Sequence, residues 1–338
     1  MTRLPDIASL WIGDRLSWLE QLCLKSFADA GHRVRLYSYA GIDNLPEGVL
    51  AGDANDIFPG EPMYRHAKNG SPAIHADLFR LNLLARTESI WVDADMYCLR
   101  PFDLGTPFVF GWEKPGQICN AVLGLPPDSK TLRSLLTFFE DEYAIAPWLK
   151  PWQRAELMAA RDAGTPLHMT QQPWGFTGPA SVTHFLQETG EIAHAQPQEA
   201  FYPVSFKDRN HLIQSKFHPE DRMTDATYGV HFWARRMKPR LEEKEHNRPR
   251  RGSFMDKLLE RHGIDPKLAP IPGKPKPETA REDDPVFRAE VALAAVREEA
   301  DIDTLARRYL VEPDFVIACR DRMLKDAHLV FDPARGGR

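Results

Sequence analysis

Ser89-Ile90-Trp91-Val92-Asp93-Ala94-Asp95 is a short, apolar, β-rich run that ends in two carboxylates. Ile, Trp and Val favour strands, so the run is expected to form a buried strand, with Asp93 and Asp95 where it ends and its loop begins. Open α/β sheets hold their ligands at the carboxyl ends of strands. Side chains at i and i+2 of an extended segment point the same way, which predicts that both carboxylates face one ligand. Two hard oxygen donors suit Mg2+ or Mn2+ and leave coordination positions for diphosphate oxygens. Taken alone, the triplet reads first as a solvated turn, because aspartates are common on exposed loops.

Upstream, Ser71-Pro72 predicts a helix to about Thr87, with serine as cap and proline at the first helical position. Ile74, Leu78, Leu81 and Leu84 give it an apolar stripe, and Asp77 and Arg80 share another face one turn apart. They form either a surface ion pair or a polar pair directed at a ligand. Further upstream, Ile7 to Ile12 is expected as a strand, Leu16 to Ala30 as a helix and Val34 to Tyr39 as a strand, followed by a Gly-, Asp- and Pro-containing loop from Gly41 to Gly60.

Downstream, Phe108 to Trp112 and Ile118 to Leu125 are strand candidates, and Lys130 to Leu186 is mainly helical, an expected insertion. Gly229 to Trp233 closes the domain as a strand, and the Pro/Lys-rich segment Ala269 to Asp284 is expected as a linker. The expected plan is an α/β domain over residues 1–268, the linker 269–284 and a module over 285–338.

The 338 residues are 43% hydrophobic and 27% charged, as in an ordinary globular protein, and no run reaches the apolar length of a membrane span. The N-terminal residues lack a secretory pattern, so the cytoplasm is the expected location. Cys23, Cys98, Cys119 and Cys319 are widely spaced and read as buried thiols. A net charge of −5 argues against a globally nucleic-acid-binding protein. A basic patch runs from Arg235 to Arg251; Arg235 or Lys238 could neutralise a diphosphate, form a solvated face or touch anionic lipid on the inner face of a membrane.

His75-Ala76-Asp77-Leu78-Phe79-Arg80 followed by Ile90-Trp91-Val92-Asp93-Ala94-Asp95 resembles the sugar-binding region of DXD glycosyltransferases. That group includes capsular-polysaccharide, α-1,4-galactosyl and α-1,6-mannosyl transferases and, more distantly, clostridial glucosylating toxins. The resemblance implies a GT-A fold, a Rossmann-like nucleotide-diphospho-sugar transferase domain, with a UDP- or GDP-sugar donor, Mn2+ or Mg2+, retention of configuration and a glycan or lipid-linked acceptor. It implies that Asp77 and Arg80 serve the sugar, that Asp95 holds the metal and that Asp93 bridges ribose, sugar or metal. Leu10-Trp11-Ile12-Gly13 is similar to the family's first strand, which makes Trp11 the candidate for stacking on a uracil ring; it is equally an ordinary core tryptophan. Cys119-Asn120-Ala121 resembles the segment beside the reacting sugar, with Asn120 as a hydrogen-bonding residue. His231-Phe232-Trp233 lies where relatives place a late metal ligand, here His231, or a tryptophan that closes over the donor, here Trp233. An isolated strand histidine is more often a satisfied core residue. Trp148, Trp152, Trp174 and the Gly175-Phe176-Thr177-Gly178-Pro179 turn could frame an acceptor or simply pack helices.

Pro285 to Glu299, Ile302 to Tyr309 and Pro313 to Asp326 are expected as three short helices, with Asp284, Asp301 and Glu312 near their starts. Glu290 to Tyr309 resembles the helix-turn-helix of transposase-associated proteins. The alternative function is therefore a DNA-binding or regulatory protein with a glycosyltransferase-like sensor domain. In the third helix Asp314, Asp321 and Asp326 balance Arg320, Arg322 and Lys325, which points instead to a fold used for oligomerisation or docking.

Overall fold

In the computed structural model, which describes residues 3–273, 284–297, 300–309 and 311–328, the chain divides into two compact units, one ending at Ile271 and one beginning at Pro272. The first unit is mixed α/β. It opens with β1 (Ile7–Trp11), α1 (Trp18–Asp29), β2 (Val34–Ser38), β3 (Val49–Asp53), α2 (Ala73–Arg86) and β4 (Ile90–Val92). It continues with β5 (Met96–Cys98), β6 (Val109–Lys114), β7 (Gln117–Gly124), α3 (Lys130–Glu140), α4 (Pro151–Asp162) and α5 (Pro179–Thr189), and closes with β8 (Gly229–His231), α6 (Ala234–Lys244) and α7 (Phe254–His262).

Six strands form one mostly parallel sheet in the order β3-β2-β1-β4-β7-β6, in which β7 runs against both of its neighbours. The period-two alternation of strands sorts its two faces. Ala8, Leu10 and Trp91 pack beneath α2, α3 and α5, whereas Ile7, Ile90 and Val92 pack with Leu24 and Phe27 of α1. β5 and β8 make a separate antiparallel pair.

Several expectations need correction. β3 lies inside the stretch expected as loop; it is an edge strand whose residues after Val49 are mostly solvent-facing, so it carries no apolar signal. α2 begins one residue later than expected: Pro72 takes the N-cap position, and the Ser71 hydroxyl accepts from Ala73 N–H at 3.4 Å. The expected linker begins too early. Ala269 and Ile271 are buried against α1; Trp18 N–H donates to Ala269 O at 2.7 Å, and Asn247 clamps Ile271 through two 2.7 Å bonds. Residues 274–283 of that linker lie outside the described residues. Within the expected helical insertion, α3 and α5 cover the sheet, whereas α4 buries only Leu157.

The second unit contains α8 (Pro285–Val296), α9 (Ile302–Tyr309) and α10 (Pro313–Asp326) around Phe287, Val291, Leu305 and Val316. The Asp284 and Asp301 side chains accept from Val286 and Thr304 N–H, as N-caps do, while Glu312 makes no such bond; Glu299 lies outside the described residues. On α10, Arg320 pairs with Asp321 and Arg322 with Asp326. All four cysteines are buried and unpaired with one another. No helix among the described residues is long and apolar enough to cross a membrane.

Candidate active site

The strand order leads away in opposite directions from β1 and β4, and the crevice at their carboxyl ends is where such sheets accept ligands. A cavity of about 510 Å³ opens there, lined by Trp11, Asp77, Arg80, Asp93, Asp95 and Asn120, the 173–179 loop and the start of α6.

Arg80 ties the cavity together. Its Nη1 donates to Asp77 Oδ1 at 2.5 Å, its Nη2 donates to Asp93 Oδ1 at 2.9 Å, and the guanidinium lies 4.6 Å from the centre of the Trp91 ring. The side chain is only 6% exposed, so this is not a solvated surface pair. Burial opposes its charge, but Asp93 and then Asp77 outweigh burial and raise its pKa.

Asp77 also accepts from Asn120 Nδ2 at 3.0 Å and from Thr177 Oγ1 at 2.6 Å. Three donors from α2, β7 and the 173–179 loop therefore hold one carboxylate. Gly178 has φ of 81°, and a Cβ there would sit 3.0 Å from Asp77 Oδ2, so both backbone and space require glycine.

Asp93 to Asp95 form a turn rather than the expected extended segment, closed by Met96 N–H donating to Asp93 O at 2.9 Å. The carboxylates converge for a different reason. β5 starts at once and pairs with β8, setting Met96 opposite His231. His231 Nε2 then lies 3.1 Å from Asp95 Oδ1, and ligand atoms of Asp93, Asp95 and His231 all fall within 4.8 Å of one another. Asp93 Oδ1 is taken by Arg80 and by Trp91 Nε1–H at 2.8 Å. Among the described residues no donor reaches its Oδ2, and the buried His231 Nδ1 has no partner. Two carboxylates, an imidazole and unpartnered ligand atoms fit a divalent cation such as Mn2+ or Mg2+.

Asp95 Oδ2 accepts Ala234 N–H at 2.7 Å, so this carboxylate caps the first turn of α6. Trp233 makes the junction, with φ 56° and ψ 45°, a left-handed conformation rare for a bulky residue. Burial raises the Asp93 pKa; Arg80 opposes this and Asp95 adds to it. For Asp95, burial acts upward too, but His231 and Ala234 N–H outweigh it and lower the pKa. Burial lowers and Asp95 more than restores the His231 pKa, leaving it raised.

No family model matches the chain. Over 204 residues, 55% of this chain, it is 22% identical to "Subversion of eukaryotic traffic protein A" of Legionella pneumophila, and it spans 31% of that protein's length. Among solved structures it is similar to "PaToxG Glycosyltransferase", at 15% identity and a TM-score of 0.35, over 56% of this chain and 72% of that one.

The remaining candidates fall in different places. Trp11 lines the cavity, its Nε1–H bonded to Arg15 O and Lys238 Nζ 5.1 Å from its ring centre. Lys238 pairs at 2.5 Å with Glu20, whose other oxygen accepts from Ser17 N–H and Oγ–H. Trp233 packs on His231 with ring centres 4.1 Å apart and is not among the lining residues. Trp174 lines the cavity, Trp148 donates to Phe176 O within the helical layer, and Trp152 is exposed. Sequence reasoning did not assign Thr177 to Asp77, Trp91 Nε1 to Asp93 or Glu20 to Lys238. The Ser17-x-x-Glu20 capping box is a local signal that marks Glu20, whereas Thr177 meets Asp77 across 100 residues with no local signature.

Proposed function

We propose that the first unit is a GT-A-type, metal-dependent, retaining hexosyltransferase. It moves a hexose from a UDP- or GDP-sugar to a glycan or lipid-linked acceptor, as in polysaccharide synthesis. The observation that carries this is one cavity lined both by Asp77 with Asn120 and Thr177, a hydroxyl-binding group, and by Asp93 and Asp95, which with His231 behind the lining form a cation-binding group.

In the transfer, an acceptor hydroxyl oxygen forms a bond to the anomeric carbon, and the bond from that carbon to the phosphate oxygen breaks. The nucleoside diphosphate leaves with the electron pair, and the hydroxyl proton passes to its departing phosphate oxygen. A cation held by Asp93, Asp95 and His231 would offset the charge gathering on the leaving group. Asp77 would accept from sugar hydroxyls, with Arg80 fixing its orientation and Asn120 beside it. Trp11 offers an aromatic face to the base, and Lys238 stands over that ring. Asp95, tied to α6 through Ala234, would couple cation binding to the cavity's rim. This unit would act in the cytoplasm or at the inner membrane face, with the second unit serving oligomerisation or docking.

Hydrolysis of UDP-glucose, UDP-galactose and GDP-mannose with Mn2+ tests the proposal. Turnover should require the metal and fall about a hundredfold or more in Asp95→Ala. Undiminished turnover in that variant overturns the metal assignment.

A further inference from the structure

The cavity's charges are almost all matched from within. Arg80 lies between Asp77 and Asp93, Lys238 pairs with Glu20, and His231 pairs with Asp95. Arg235 is the exception: it lines the same cavity, and among the described residues no carboxylate lies within ion-pair distance of it. Its guanidinium instead stacks 4.6 Å from the centre of the Trp174 ring. Trp174 is 49% exposed and is met at its edge by His66, with ring centres 5.3 Å apart.

Chain connections locate this pair. Three residues after Trp174, Thr177 binds Asp77; immediately before Arg235, Ala234 binds Asp95. Trp174 and Arg235 therefore bridge the hydroxyl-binding and cation-binding ends at the solvent-facing rim. If the donor fills the interior, as proposed above, the second substrate must arrive across this bridge.

We infer that Trp174 and Arg235 form the acceptor subsite, and that the acceptor is an anionic saccharide bearing a phosphate or a carboxylate. This rests on the donor assignment of the same cavity. A stacked guanidinium keeps its in-plane N–H groups free, and their fork matches two oxygens of a phosphate or carboxylate. The exposed part of the indole packs on the apolar face of a pyranose. A neutral sugar would use only the second of these contacts, whereas an anionic one uses both.

Calorimetric titration of the full-length protein, with Mn2+ and saturating UDP or GDP, tests the inference with three probes: glucose 6-phosphate, glucuronate and glucose. At least one anion should bind, glucose should bind about tenfold more weakly or not at all, and the anion that binds identifies phosphate or carboxylate as the recognised group. Arg235→Gln and Trp174→Ala should each weaken anion binding about tenfold while leaving nucleotide affinity within about twofold, and Arg235→Lys should fall between. Loss of nucleotide affinity with anion binding unchanged would assign Arg235 to the donor diphosphate and overturn the inference. Equal binding of glucose and the anions, or no anion binding by the wild type, also overturns it. Failure of both nucleotides to bind would count against the donor assignment instead, and the anion titration repeated without nucleotide still decides the subsite.

Discussion

The two ends of the cavity differ in how completely their polar atoms are used. Asp77 receives three side-chain donors, one each from α2, β7 and the 173–179 loop, so its position is set before any ligand arrives. At the other end Asp93 Oδ2 has no donor among the described residues, and His231, which meets Asp95 without lining the cavity, has a buried Nδ1 with no partner. An acceptor oxygen left open at a cleft is available to a ligand, whereas a carboxylate held by three donors is fixed in position and keeps one lone pair for a ligand. Arg80 belongs to both ends.

Removing it should have the largest effect. Arg80→Met preserves length and apolar contact with Trp91 but leaves the half-buried Asp77 and Asp93 carboxylates without their cation. Breaking one side of such a network costs about 3 kcal/mol, the lower end of the range for fully buried pairs. The expected outcome is a marked drop in the urea midpoint together with loss of donor turnover. An unchanged midpoint would mean that the two ends are not joined through Arg80.

Much of this arrangement was legible in the sequence where it is local. The Asp77 and Arg80 spacing on a helix and the apolar run into Asp93 need only short-range periodicity, and β4 and α2 appear close to their expected bounds. What was not legible depends on distant pairing. β3 shows one buried residue in five, because an edge strand need not alternate clearly, and β5 is recognisable only through its partner β8. The acidic pair converges for a reason that strand periodicity does not supply: a turn and a β8 contact place His231 against it. Thr177 stands a hundred residues from the carboxylate it holds.

Acid should act on the helix that carries Asp77. His75, two residues before Asp77, is fully buried, and burial, aided by Arg65, lowers its pKa to about 4. Tyr64 N–H points at Nδ1 and Tyr39 Oη lies 2.7 Å from Nε2, an arrangement that suits neutral imidazole with the proton on Nε2. The unfolded chain takes up this proton near pH 6.5 and the folded chain only near 4. Stability from keeping His75 neutral is thus full well above pH 6.5 and lost as pH falls to 4, by about 3 kcal/mol. Urea midpoints measured across that range should decline in the wild type and flatten in His75→Gln; equal slopes would remove His75 as the cause.

Two single-donor removals give the smallest effects and separate the ends most finely. Thr177→Val takes one of three donors from Asp77, and Trp91→Phe takes one of two from Asp93 Oδ1 while keeping an aromatic ring beneath Arg80. Each should cost about 1 kcal/mol or less in stability. Their functional signatures should differ. A looser Asp77 should raise KM for the sugar donor with the Mn2+ dependence unchanged. A freer Asp93 should change the Mn2+ concentration needed for half-maximal turnover, because its Oδ2 is the oxygen left open toward the cation. If both variants shift the same parameter, the carboxylates act as one coupled site, and the division between a positioning end and a cation end is wrong.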